Sequence, residues 1–342
     1  MIKTLDEKLA ALKKDPSSPV FILADAKDAD MAYGIVSTGR DAGGRLRSLA
    51  EYRDQIRANV AQGLVDVMLM SASTSEILAI DERIFNSSAV TPAVRANDAT
   101  DVHVIRGSVY PAAPCRPFAT ATLDHIQAGK CPSTESERSR GVDLGLYSIT
   151  FNNDPERDLE TLQSYKAFRL EAEARGFRHF LEVFAPNVPQ NVHRIPPSEI
   201  PHFVNDHIVR LLAGVPSSGR PCFLKIPFFG PRYLEELCAY DPSMVVGVLG
   251  GSAGTTHDAF ALLHDARRYG ARVALFGRKI NSAEHQPSFI EFLRLIADGH
   301  ISPSEAVKAY HGRLSQLNIA PIRTLALDLE LASASMSYAA PE

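Results

Sequence analysis

The chain has 342 residues, 45% of them hydrophobic and 22% charged, with a formal net charge of −4 at pH 7. This is the composition of an ordinary soluble globular protein with a large core. The mild acidity, without any clustered run of Lys and Arg, excludes an electrostatic footprint for nucleic acid or an anionic membrane surface.

The first residues, MIKTLDEKLAALKKD, read as a short, charged, amphipathic N-terminal helix and lack the apolar centre of a signal peptide. No stretch approaches the length needed to span a bilayer, so a cytoplasmic location is expected. Short apolar runs then alternate with helical patterns. The first strand is PVFILAD, ending at Asp25, followed by a glycine-rich loop and a helix over 45–62. The second is LVDVMLMSAS, after which STSE, Ser73 to Glu76, reads as a capping box. The third is placed at DVHVIRG, Asp101 to Gly107, followed by an irregular Pro-, Ser- and Thr-rich insert over 108–141. The fourth, LGLYSITF, runs into NNDPERDLETL, where Asp154 is a natural N-cap and Pro155 suits the first helical position. RHFLEVFAP is the fifth, with a helix over 198–213, and the sixth lies within RPCFLKIPFFGPRY. MVVGVLGG and ARVALFGR are the seventh and eighth, followed by helical patterns over 255–269 and 286–298.

Strand–helix units in this number, over roughly 280 residues, fit a single (β/α)8 TIM barrel, whose typical length is about 250 residues plus insertions. A doubly wound open sheet is the competing architecture, but the GxGxxG opening after the first strand is missing. The expected organisation is one barrel domain over 1–328 with the 108–141 insert, then a C-terminal tail over 329–342.

In a barrel the chemistry gathers at the C-terminal ends of the strands. There the sixth strand presents Lys225 inside an apolar run, where an unpaired ammonium group is costly. Alternation puts Phe223, Lys225 and Pro227 on one face, and Phe180, Glu182 and Phe184 on one face of the preceding strand. If both faces point inward, an amine meets a carboxylate. A free lysine, with a pKa of about 10.4, is a poor nucleophile at neutral pH; desolvation among Phe223, Ile226 and Phe228 favours the neutral amine. Such an amine attacks a ketone and forms a Schiff base, with Glu182 as the acid/base group. The alternative is a structural lysine, snorkelling to solvent or paired with Glu182.

The seventh strand ends in GVLGGSAGTTHDAF and the eighth in LFGRKINSAEHQ. Barrels commonly bind phosphate between these two loops, so Gly250, Gly251 and Ser252 on one side and Gly277 and Arg278 on the other are candidate phosphate ligands. The guanidinium would form charge-assisted bonds to the anion. Read singly, each motif is only a turn.

The LKIPF strand, the VLGGS loop and the FGRKI loop, in that order and spacing, resemble the class I, Schiff-base aldolases of the DeoC/LacD/archaeal-type fructose-bisphosphate aldolase (LsrF-like) family. The resemblance covers about the C-terminal two thirds of the chain. It implies a lyase that uses Lys225 as the Schiff-base residue, Glu182 as acid/base, and the two loops as phosphate ligands. It also implies an acidic residue closing the first strand, Asp25, which handles a substrate hydroxyl. Three features depart from the family: Gly277-Arg278-Lys279 in place of GRN, the first loop DAKDADMAYG, and the insert. Lys27, in that first loop, is an extra charge that either meets a second phosphate or faces only solvent.

Tyr147 shares parity with Ile149 and is a candidate proton donor, although a strand tyrosine is usually packing. The eleven histidines show no HxH or HExxH spacing, so no metal and no cofactor is expected. Cys115, Cys131, Cys222 and Cys238 form no CxxC pair and read as reduced structural thiols. Arg40 and Arg45, in STGRDAGGRLRS, belong either to a flap over an anionic substrate or to a plain surface loop. The partner expected is a phosphorylated sugar, with neither nucleic acid nor membrane, in a homo-oligomer. The leading function is cleavage or formation of a carbon–carbon bond in a phosphorylated ketose. The alternatives are a transaldolase or thiolase-like enzyme using the same lysine, and a non-catalytic phosphometabolite-binding barrel.

Overall fold

Eight parallel strands form the centre of the computed structural model, which describes residues 1–41, 43–251 and 254–332. They are β1 (Ile22–Lys27), β2 (Val67–Met70), β3 (Thr91–Arg95), β4 (Leu144–Thr150), β5 (Arg178–Phe184), β6 (Leu224–Lys225), β7 (Gly247–Leu249) and β8 (Val273–Phe276). Neighbours follow chain order and β8 pairs back to β1. The ring closes between β6 and β7 through the Ile226–Val248 bridge, where the Leu224 and Ile226 N–H groups donate to the Val245 and Gly247 carbonyls at 2.9 Å. This is the expected (β/α)8 barrel.

Alternation sorts the strand residues into two cores. Ile22, Ala24, Leu69, Leu146, Phe180 and Phe223 fill the barrel interior. Leu23, Met68, Val94, Ile149, Leu181 and Phe276 face outward and pack in the larger core that includes the surrounding helices. The N-terminal helix Thr4–Lys14 carries Leu5 and Leu12 one above the other, and both join the interior cluster. Each such buried leucine stabilises the fold by about 1.5–3 kcal/mol. Lys8 fixes the helix by an ion pair to Asp66 at 2.7 Å.

The helix after β4, Pro155–Ala174, starts as expected: Asp154 accepts from the N–H groups of Glu156 and Arg157, and Pro155 takes the first position. Two expectations are corrected. The turn after β2 is capped by Ser71, whose hydroxyl accepts from the Thr74 N–H, and the chain continues as a wider π-type turn over Glu76–Asp81. Ser71 also donates to Asp30 at 2.5 Å, tying the cap to the loop after β1.

The third strand is Thr91–Arg95, not Asp101–Gly107, which is a succession of turns. Its N–H and C=O groups find partners on β2 and β4, whereas the 101–107 stretch lies outside the barrel. The excursion between β3 and β4 therefore spans 96–143 rather than 108–141. It holds a two-stranded ladder of Asp98–Ala99 with Pro117–Phe118 and a helix Leu123–Ala128. It is tied to the rim of the barrel: the Val104 N–H donates to the Ala32 carbonyl at 2.7 Å, Thr150 donates to Asp101 at 2.6 Å, and Asn187 donates to the carbonyls of Pro111 and Ala113.

At the C-terminal end the short helix Leu325–Asp328 and the residues up to 332 lie on the start of the helix Thr256–Arg268. Asp328 accepts from the Thr256 N–H at 2.8 Å and Thr255 donates to the Glu330 carbonyl at 2.6 Å. The first residues of the expected tail are thus packed; 333–342 lie outside the described residues. Among the described residues, no helix is long and apolar enough to cross a membrane.

Candidate active site

Glu182 and Lys225 are register partners on β5 and β6, and both fall on the inward parity. Their side chains meet at the mouth of the barrel, Lys225 Nζ lying 2.6 Å from Glu182 Oε1. Directly below them the rings of Phe180 and Phe223 stack at 4.5 Å, which closes the floor to water. Ile226 and Phe228, expected beside the amine, belong to the outer core instead.

The other carboxylate oxygen of Glu182 accepts from the Ser148 hydroxyl at 2.6 Å and from Arg95 at 3.5 Å. Arg95 also donates to Ser148 Oγ at 2.9 Å and, through Nε, to Asp28 at 2.6 Å. One hydrogen-bonded chain thus runs from the loop after β1, through the ends of β3, β4 and β5, to the amine on β6. All its members are buried. Burial works against the Arg95 charge, but Asp28 and Glu182 outweigh it and raise the guanidinium above its ordinary range. Buried ions persist when they are mutually compensated in this way.

A cavity of about 220 Å³ opens above the amine. Gly250, Gly251, Gly277 and Arg278 form the wall on the β7–β8 side. Gly251 has φ +56°, a conformation that suits glycine. Gly250 is a glycine for a different reason: a Cβ there would meet the Phe276 ring at 2.2 Å. Its N–H donates to the Leu275 carbonyl at 2.7 Å, so Gly250 contributes surface rather than an anion-binding N–H. Ser252 lies outside the described residues. Arg278 stands over the Tyr33 ring at 5.9 Å, and among the described residues no carboxylate pairs with it. Behind this wall, buried Lys279 donates to the carbonyls of Gly254 and Thr255 at 2.7 and 2.9 Å, fastening the β7 loop to the β8 loop. Burial, with Arg323 nearby, pushes the Lys279 ammonium down to about 8.

Three expected site residues stand elsewhere. Asp25 and Lys27 take the outward parity of β1 and lie behind the barrel wall, against the helices Leu49–Gln62 and Gln286–Ala297. Asp25 accepts from Asn59 at 2.8 Å, Lys27 donates to Gln286 at 2.8 Å, and the two charges are 3.9 Å apart. Both are fully buried, and burial raises the Asp25 carboxyl and lowers the Lys27 ammonium. Neither lines the cavity. Tyr147 also points outward, its ring 4.5 Å from Phe168 and 5.1 Å from Tyr165. Burial raises its hydroxyl, and it is a packing residue.

Asp28, Arg95 and Ser148 take the places that the sequence left open. Arg95 was hidden by the misplaced third strand. Ser148 was legible as an inward neighbour of Leu146, since it shares that parity on β4. Asp28 lies one residue beyond the end of β1.

No family model matches this chain, and no curated protein matches it in sequence. Its fold is shared with solved structures. One is a fructose-bisphosphate aldolase from Slackia heliotrinireducens, at 14% identity and a TM-score of 0.64, covering 90% of this chain and 91% of that one. A second is an archaeal fructose-1,6-bisphosphate aldolase with its catalytic lysine covalently bound to the carbinolamine intermediate of the substrate. It shows 13% identity and a TM-score of 0.60, with 85% and 99% of the two chains covered. A third is the protein Cgl0159 from Corynebacterium glutamicum, at 16% identity and a TM-score of 0.55 over 88% and 99% of the chains.

Proposed function

We propose that the protein is a class I aldolase that cleaves or forms a carbon–carbon bond in a phosphorylated ketose or related hydroxyketone. The observation that carries this reading is the 2.6 Å approach of Lys225 Nζ to Glu182 Oε1 at the floor of a cavity walled by the β7 and β8 loops. That the same fold houses a lysine carbinolamine in an archaeal fructose-1,6-bisphosphate aldolase supports it.

Glu182 takes a proton from the Lys225 ammonium, and the free amine attacks the substrate carbonyl carbon. The same carboxyl returns a proton to the carbinolamine oxygen, which leaves as water and gives a protonated imine. The imine then draws the electron pair of the neighbouring carbon–carbon bond into an enamine. The β-hydroxyl loses its proton to Glu182 and departs as an aldehyde. Protonation of the enamine carbon and hydrolysis of the imine release the second product and restore the amine. Ser148 and Arg95 both hold Glu182 by Oε2 throughout, which leaves Oε1 for the proton exchange. Arg278 and Gly251 receive the phosphate, where a guanidinium offers charge-assisted bonds. Such a catalyst fits a cytoplasmic enzyme of carbohydrate metabolism, and barrels of this kind usually associate into homo-oligomers.

Borohydride trapping tests the reading. The protein is incubated with dihydroxyacetone phosphate and a panel of phosphorylated ketoses, reduced, and mapped by peptide mass. An adduct on Lys225 is expected. Absence of any adduct from a protein that the same compounds stabilise thermally would replace the enzyme by a barrel that binds phosphometabolites, with Lys225 in a structural ion pair. An adduct that turns over only when a second acceptor is supplied would make it a transaldolase.

A further inference from the structure

The charges facing the cavity are unequal to a substrate with two phosphates. Its charged lining consists of Asp28, Arg95, Glu182, Lys225 and Arg278. Arg95 is already neutralised by Asp28 at 2.6 Å and by Glu182 at 3.5 Å, and Lys225 must give up its proton to react. Arg278 is the cation left over. Lys27, which the sequence offers for a second phosphate, is turned away behind the barrel wall. Arg45 is paired with Glu51 and Asp41, Arg40 is exposed and donates to the Gly44 carbonyl at 2.6 Å, and neither lines the cavity. The residues outside the described set contain no Lys or Arg.

Part of the cavity wall is apolar. Arg278 follows β8, and four strands round the ring lies β4, whose last residue Thr150 holds Asp101 at 2.6 Å. This bond brings the adjacent Val102 of the 96–143 excursion into the cavity wall, and Ala32 and Phe184 complete that side. The Val104 N–H bond to the Ala32 carbonyl locks the two segments together. A phosphate against this wall would lose its hydration without gaining a cation, which is strongly unfavourable.

Resting on the aldolase reading, we propose that the substrate carries a single phosphate, held at Arg278, and that its other end is uncharged and lies against Val102, Ala32 and Phe184. The insert thereby selects the unphosphorylated end.

The test compares fructose 1-phosphate, fructose 6-phosphate and fructose 1,6-bisphosphate, by the rate of borohydride-trapped adduct on the wild type and by calorimetric affinity on Lys225→Met. One monophosphate is expected to exceed the bisphosphate at least tenfold in both. Val102→Lys should shift this ratio at least tenfold toward the bisphosphate, while Arg106→Ala, exposed on the insert and outside the cavity, should leave it unchanged. A bisphosphate trapped or bound as well as either monophosphate overturns the single-phosphate inference and leaves the imine chemistry standing. A monophosphate preference in affinity with no adduct from any sugar overturns the imine chemistry and upholds the charge selection. Loss of both discards both.

Discussion

Glu182 addresses Lys225 with one carboxylate oxygen and Ser148 with the other, each at 2.6 Å. A carboxylate divided in this way is held in orientation on one side and left to exchange a proton on the other. Lys225→Met should abolish adduct formation while leaving circular dichroism native. Glu182→Gln keeps the shape but not the acid/base function and should lower kcat by about 10²–10⁴-fold. A Glu182→Gln enzyme at full rate would assign proton transfer to another group.

Arg95 acts through Glu182 rather than on the substrate. Arg95→Met leaves buried Asp28 without its cation and Glu182 with Lys225 alone, which should destabilise the fold by about 3–5 kcal/mol. Because Arg95 helps to hold the acid/base carboxylate, kcat should fall in Arg95→Met with little change in KM, and Arg95→Lys should restore part of it. An unchanged kcat in a folded Arg95→Met protein would reduce Arg95 to a structural residue.

Lys279 fastens the β7 loop to the β8 loop through two carbonyl oxygens. Lys279→Met should raise KM for a phosphorylated substrate about tenfold with little change in kcat, since the lysine positions the anion wall without touching the reacting carbon. Steady-state kinetics separate the two constants; a fall in kcat alone would contradict this placement.

His179 sits on the outward side of β5, its Nε2 paired with the Tyr165 hydroxyl at 2.8 Å, and burial lowers its imidazolium to about 4. In the unfolded chain the same group titrates near 6.5. Between these values the unfolded state binds the extra proton, so stability falls as pH drops from about 6.5 to about 4. The full loss is on the order of 3 kcal/mol. Urea unfolding of His179→Gln should show a flatter dependence across that window; an equal slope in both proteins would place the acid sensitivity elsewhere.

The Lys225–Glu182 pair was legible because each stands inside an apolar stretch, FLEVF on β5 and CFLKIPF around β6, so one polar residue at matching parity stands out. Arg278 was legible from its place after β8. Asp25 was not: with apolar residues on both sides of β1, a period of two cannot say which side looks inward, and small Ala24 and Ala26 turn out to take the interior. Thr91–Arg95 escaped because it is short and contains Pro92, while DVHVIRG has the β-branched composition of a strand without a free position in the ring. With the strand went Arg95, whose burial is visible only once β3 lies between β2 and β4.

The proposed bond-making groups stand on β3 to β6, and the wall beside Val102 hangs from those strands as a separate excursion, anchored by a few hydrogen bonds to Ala32, Thr150 and Asn187. The barrel is therefore a handle and the 96–143 segment an exchangeable bit. Replacing that segment beyond Asn97, whose side chain bonds the Ser148 backbone at 2.7 and 2.9 Å, would retune which molecules the protein accepts, with the reaction itself left intact.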